Sequence, residues 1–252
     1  MDRRTTVAMG ISVLALAVAG FNTASTARFM ATYANGTEQL SPEALRAALM
    51  ARPEVMVEAA QELARRREQA EQEASVSLVR GAADLLRDDH GRGIGNPRGT
   101  RRVVEFLDYQ CEFCRQADAD LRRAVEQDPQ LWISTREVAV LGQGSYLAAL
   151  AALAADRQGL HPRAREVLLG LPLPLTEASV MEAMSGLGLD MERLRRDMGS
   201  DEVLEQLKAN EGLARRVGVT ATPSFAMQGA GVLKGFGSLD RFRAFVTQAD
   251  HP

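Results

Sequence analysis

At 252 residues the chain can hold one well-packed domain and an appendage, because single domains cluster near about 100–150 residues. Hydrophobic residues make up 46% and charged residues 25%, the balance of a globular protein, which excludes a mostly disordered chain. A net charge of -3 supplies no surplus of cations for neutralising phosphates, so no nucleic-acid partner is expected.

The chain opens with Arg3 and Arg4 ahead of an apolar run from Val7 to Ala19, followed by Ser25, Thr26 and Ala27. That order predicts an export signal over residues 1–27. The run is shorter than the about 20 residues that span a bilayer, although extension through Phe21 leaves an uncleaved anchor as the alternative. Export implies the bacterial periplasm, an oxidising compartment.

Ser41-Pro42-Glu43 has the form of a helix start, a hydroxyl cap followed by proline and an acid, and the helix should reach about Met50. Pro53-Glu54 restarts the pattern, since proline is tolerated only in a helix's first turn. In this second, longer helix Met56, Leu63 and Ala70 continue a seven-residue spacing from Leu49 on an otherwise charged surface. Two readings fit: a stalk through which residues 41–86 self-associate, or a solvated helix packed on its own domain. Residues 28–94 are therefore read as a helical extension and linker, the linker being the stretch rich in Gly, Asp, Asn and Pro from Asp88 to Thr100.

Val103 to Leu107 is a compact apolar run and predicts a buried strand; Leu131 to Val138 predicts another. Helical patterns follow over Tyr146 to Asp156, Arg163 to Leu169, Thr176 to Gly186 and, as one helix, Met191 to about Val217. Two short strands, Ser224 to Met227 and Val232 to Lys234, precede a last amphipathic helix from Ser238. The order of strand, helix, strand, helical block, hairpin and helix predicts an α/β domain over residues 95–252.

Cys111 and Cys114 are the two cysteines, so no disulfide framework can join distant loops. They follow a strand and open a helix whose apolar positions include Ala117, Leu121 and Val125. A cysteine at a helix N-terminus meets free amide donors and the positive end of the backbone dipole, which stabilises its thiolate. Cys111 is thus the expected nucleophile and Cys114, one turn in, the expected resolving thiol. A purely structural disulfide closing so short a loop removes little unfolded-state entropy. His90, His161 and His251 are far from the pair in sequence, which leaves a zinc site short of donors; two thiolates holding Cu(I) remain an alternative.

The segment Phe106-Leu107-Asp108-Tyr109-Gln110-Cys111-Glu112-Phe113-Cys114 resembles the active-site segment of the DsbA-like thioredoxin family. Gly95-Asn96-Pro97, Leu141-Gly142 with Ser145-Tyr146-Leu147-Ala148-Ala149, and Gly218-Val219-Thr220-Ala221-Thr222-Pro223-Ser224-Phe225 are similar to that family in the same order. The N-terminal helices, with Arg52-Pro53-Glu54-Val55, resemble the extension of ScsC-like (suppressor of copper sensitivity) members, periplasmic disulfide isomerases of which some are trimeric. The resemblance implies a thioredoxin-like fold of the DsbA type with an inserted helical block and an N-terminal helical extension. It implies a thiol-disulfide oxidoreductase, an isomerase or reductase of exported cysteine-containing proteins that a membrane partner of DsbD/ScsB type keeps reduced. A monomeric oxidase recharged by a DsbB-type partner is the alternative within the class, and a Cu(I)-binding protein the alternative outside it. No organic cofactor is implied, because the Cys111-Cys114 disulfide itself carries the electrons.

The resemblance also implies that Pro223 is cis beside the dithiol, that the Thr222 backbone pairs with a bound peptide, and that an acid at Glu105 moves the proton of Cys114. From the residues alone, Glu105 is either buried with a partner or faces outward from its strand. Many relatives carry Pro or Gly where Glu112 stands, Gly where Ala221 stands and Pro where Ala139 stands. Glu112, Phe113 and Arg115 are accordingly the expected tuners of redox poise, with Glu112 opposing a thiolate at Cys111 and Arg115 favouring it.

Overall fold

The structure is a computed structural model that describes residues 41–83, 86 and 91–248; the expected export signal lies outside the described residues. The chain divides by its contacts into two compact units, Met1–Ala64 and Arg65–Pro252, with the division inside a long helix.

In the first unit, α1 (Pro42–Ala51) stops just before Pro53, and α2 (Glu54–Gly81) begins immediately after it. Proline can start a helix but cannot continue one, which fixes both boundaries. Met50, Met56, Val57 and Leu63 are exposed along these turns.

The second unit is built on five strands: β1 (Gly93–Gly95), β2 (Arg101–Leu107), β3 (Leu131–Glu137), β4 (Ser224–Met227) and β5 (Gly231–Lys234), in the order β1-β3-β2-β4-β5. β2 and β3 run parallel, in register from Arg101↔Leu131 to Leu107↔Glu137. Parallel neighbours need a crossover, supplied by α3 (Glu112–Gln127). The other pairings are antiparallel. β1 falls inside the stretch expected to be a linker. With one apolar residue among three it has no periodic signal, and it is defined by close approach: a Cβ on Gly93 would stand 2.3 Å from the Ile133 carbonyl oxygen.

Between β3 and β4 lie α4 (Gln143–Asp156), α5 (His161–Gly170), α6 (Glu177–Ser185), α7 (Met191–Met198) and α8 (Asp201–Arg216); α9 (Leu239–Gln248) closes the chain. The single helix expected from Met191 to about Val217 is therefore two. Gly199 caps α7, and the Ser200 hydroxyl accepts the Val203 N–H at 3.4 Å to start α8. A serine at this point offers the backbone a cap in place of another helical turn.

One sheet face sets Val103, Ile133 and Phe225 against Ala117 and Leu121 of α3 and Phe242 and Phe245 of α9. The opposite face sets Val104, Phe106 and Ala226 against Val79 of α2, Leu213 of α8 and Val217 just beyond it. Helix α4 is buried from Ala148 to Ala155, as expected of a helix that is apolar all round. It forms the centre of the helical block, and its alanines pack against Leu107, Tyr109, Cys111 and Cys114. The dithiol thus sits where the C-terminal end of β2 meets the block.

Candidate active site

Cys111 is the N-cap of α3, with φ -77° and ψ 114°, and its carbonyl accepts the first helical N–H groups from Cys114 and Arg115. Its own N–H is donated to the Asp108 carbonyl at 3.0 Å. Both cysteines are free thiols. The Cys111 Sγ is 3.2 Å from the Thr222 carbonyl, to which its S–H donates. A hydrogen bond from Cys114 is the largest influence on Cys111; with further bonds from the Thr222 side chain and the Cys114 and Phe113 amides it outweighs burial and lowers the Cys111 pKa to about 6. Cys114 is fully buried, and burial, the hydrogen bond it gives Cys111 and the charge of Glu105 push its pKa far up. One sulfur is therefore poised as a thiolate and the other held as a thiol.

The loop ahead of α3 is fixed by buried Asp108, whose carboxylate accepts N–H groups from Gln110 (2.8 Å), Val140 (2.9 Å) and Leu141 (3.1 Å). Gln110 then bridges outward, donating to the Leu141 carbonyl at 2.8 Å and accepting the Leu175 N–H at 3.1 Å. Neither residue was singled out in the sequence as a site residue.

The Thr222-Pro223 peptide bond is cis, as is Leu173-Pro174. Pro223 is held by the Gly235 N–H on its carbonyl at 2.9 Å. On one side of this loop a hollow of about 570 Å³ is lined by Phe113, Gln116, Ala117, Thr222, Pro223 and Phe236. On the other, a hollow of about 220 Å³ is lined by Val138, Val140, Ala214, Val219 and Thr222. Thr222 belongs to both, so an extended chain lying over its backbone would have room for a side chain on either side.

Among the expected tuners, Phe113 is 68% exposed on the rim of the larger hollow. Glu112 accepts the Gln116 amide at 3.1 Å at the surface. Arg115 turns inward and donates to the backbone carbonyls of Tyr109 (3.0 Å), Leu168 (3.2 Å) and Leu171. It ties α3 to α5, and its charge is felt at Cys114.

Glu105 faces inward and is fully buried; its Oε2 accepts from Arg165 at 2.9 Å. Its Oε1 has no hydrogen-bond partner among the described residues. Burial, only partly offset by Arg165, raises its pKa. Arg165 also pairs with Asp118 of α3, which in turn accepts from Arg122 at 2.8 Å. Burial alone would raise Asp118, but the two arginines more than offset it and its pKa is lowered. One turn earlier on α5, His161 Nε2 lies 2.5 Å from Glu137, and the Tyr109 hydroxyl donates to the same carboxylate at 3.4 Å. Here His161 and Arg92 overcome burial and keep the Glu137 pKa low. Helix α5 thus presents His161 and Arg165, four residues apart, to glutamates on adjacent strands. The four-residue spacing was visible in the sequence; that Glu105 and Glu137 face it was not.

A family model described as a DSBA-like thioredoxin domain matches residues 102–247, more than half of the chain. The chain belongs to this family. The match covers the sheet from β2 onward, the dithiol and the whole helical block, and the observed architecture is the DsbA-type thioredoxin fold. A thioredoxin-like oxidoreductase from Silicibacter pomeroyi DSS-3 is 36% identical, with a TM-score of 0.63 over 67% of this chain and 96% of that one. A periplasmic thioredoxin-like protein from Salmonella enterica serovar Typhimurium is 25% identical, with a TM-score of 0.56 over 68% and 95%. A Proteus mirabilis ScsC variant with a linker deletion is 21% identical, with a TM-score of 0.64 over 92% and 98%, a likeness of fold. Curated relatives include a Na(+)/H(+) antiporter NhaA from Herminiimonas arsenicoxydans, 30% identical over 144 residues, of which this chain spans 22%. Antiport is a property of that longer protein. The chain is a DSBA-like thioredoxin-fold oxidoreductase that shares its fold with ScsC proteins.

Proposed function

We propose that the protein is a periplasmic thiol-disulfide isomerase or reductase that acts on disulfides of exported proteins. The observation that carries this reading is the contrast between the two sulfurs, with Cys111 lowered only to about 6 and Cys114 held as a buried thiol. A strong oxidant stabilises its nucleophilic thiolate much further, to about 3.5 in DsbA, because that stabilisation favours the reduced form. A thiolate near 6 attacks well at neutral pH without making the disulfide so readily reduced.

Cys111 attacks a client disulfide, one client sulfur leaves as a thiolate, and a mixed disulfide remains at the N-terminus of α3. The client backbone runs over Thr222, with side chains in the two hollows. Cys114 then attacks Cys111 and completes a reduction, or a second client thiol displaces Cys111 and completes an isomerisation. A membrane partner of DsbD/ScsB type returns the dithiol to its reduced state. Residues 41–86 are the surface through which chains self-associate, supported by exposed Met56, Val57 and Leu63.

The test is refolding of ribonuclease with scrambled disulfides, beside reduction of insulin. The reduced protein should restore ribonuclease activity catalytically, and Cys111→Ser should not. Oxidation of reduced ribonuclease without rescue of the scrambled form would mark an oxidase instead; tight Cu(I) binding with neither activity would mark a copper protein.

A further inference from the structure

At the end of the second unit away from the dithiol, where β2 begins and α3 ends, α9 borders a hollow of about 390 Å³. That volume falls among small-molecule sites, which run from about 300 to 1,000 Å³. Its floor is apolar, made of the buried core residues Ala124, Leu131, Phe242 and Val246. Its rim carries two arginines from distant parts of the chain, Arg101 at the start of β2 and Arg243 of α9. They are drawn to neighbouring acceptors at the end of α3: Arg101 pairs with the Asp128 carboxylate at 2.9 Å, and Arg243 donates to the Gln127 side-chain oxygen. The two acceptors differ in charge. Asp128, the one acid among the described residues that line the hollow, is matched by Arg101. Arg243 is held by a neutral amide, and its ion pair with Asp240 is a loose one, 3.7 Å long and with the acid 94% exposed. A charge-assisted hydrogen bond is roughly twice as strong as a neutral one. A ligand carboxylate therefore displaces Gln127 from Arg243 at a net gain, while Asp128 keeps its hold on Arg101.

We propose that this hollow binds a medium-chain carboxylate, a fatty acid or an acid of similar shape, with its head on Arg243 and its chain over Leu131, Phe242 and Val246. The planar fork of N–H donors on arginine matches the two oxygens of a carboxylate, which a point-like ammonium does not. Arg101 keeps the charge of Asp128 from repelling the head. The apolar floor takes the chain out of water, and each buried methylene adds to the affinity. The site goes beyond the exchange reading and does not depend on it. Arg101 opens β2 and Cys111 follows the far end of that strand, so an occupied hollow leaves the dithiol open to clients.

The test titrates sodium decanoate, below its micelle concentration, into the full chain and follows binding by calorimetry and by amide NMR shifts. Decanoate should bind once per chain, with shifts centred on Leu131, Phe242 and Val246. Decanol, which has the chain without the charge, should bind about tenfold more weakly or worse, and acetate, the head without the chain, should give no measurable heat. Arg243→Gln should weaken decanoate by about tenfold or more and leave decanol unchanged, with Arg243→Lys between the two. Arg243 is 44% exposed, so these variants spare the core, and an unchanged melting temperature confirms it. Absence of decanoate binding, equal affinity for decanol, an affinity that survives Arg243→Gln, or shifts centred on Phe113 and Phe236 beside the dithiol overturns the proposal. Decyl phosphate binding about tenfold tighter than decanoate would assign the hollow to a phosphate head and overturn the carboxylate.

Discussion

Cys111 owes its reactivity to groups that sequence spacing already brings near, namely Cys114 and the amides at the start of α3, together with Thr222, which arrives from 111 residues away. Its alkylation by iodoacetamide should rise with pH through a midpoint near 6, and Cys114→Ser should leave long-lived mixed disulfides with client proteins. The lowered pKa also links to stability. A thiol titrating near 6 when folded and near 9.0 when unfolded stabilises the reduced protein fully above 9, and loses that contribution as pH falls to 6. Cys114, pushed up by burial, stays protonated in the folded protein; it adds no slope well below 9 and opposes the rise only as pH nears 9.0, where the unfolded thiol ionises. The melting temperature of the reduced form, relative to the oxidised form, should therefore rise between pH 6 and 9. Asp108→Ala should leave three loop N–H groups without their acceptor and cost about 1–3 kcal/mol in urea unfolding, more than an exposed aspartate would. The dithiol was legible from its position after an apolar run and before an amphipathic helix. Asp108, Arg165 and His161 were not, because their partners are set by loop closure and strand register rather than by local spacing.

At the level of elements, helix α2 supplies more than a charged surface. Its C-terminal turns lie on the edge strand β5, with Gln72 donating to the Ala230 carbonyl and the Val232 N–H donating to the Ser75 hydroxyl, each at 2.8 Å. Covering the edge removes a row of open backbone groups that would otherwise pair with another chain. The fit depends on Gly231, which has φ +80° and whose absent Cβ would stand 2.8 Å from Ser75 Oγ. Gly231→Ala should destabilise the protein by about 1–3 kcal/mol in thermal unfolding, through backbone strain and loss of this contact. The two strand hairpin and the final helix were readable because their apolar residues alternate or recur every turn. β1, with Gly93 and Gly95 around one isoleucine, was not, since its pairing is decided by closeness to β3. The break at Gly199-Ser200 was hidden for another reason: apolar periodicity continues across it, and the capping hydroxyl decides.

For the whole molecule, the exposed residues of the first unit and the dithiol of the second make separate claims. Self-association through residues 41–86 predicts a mass by light scattering above the 27.3 kDa of one chain, reduced to that of one chain by Met56→Asp with Leu63→Asp, with insulin reduction per chain retained. The direction of electron flow is the central claim, and it is tested most directly by the reduction potential of the Cys111-Cys114 pair, measured by equilibration with glutathione. An isomerase or reductase predicts a value of about -200 mV or lower; a value of about -120 mV would contradict it and mark the protein as an oxidase.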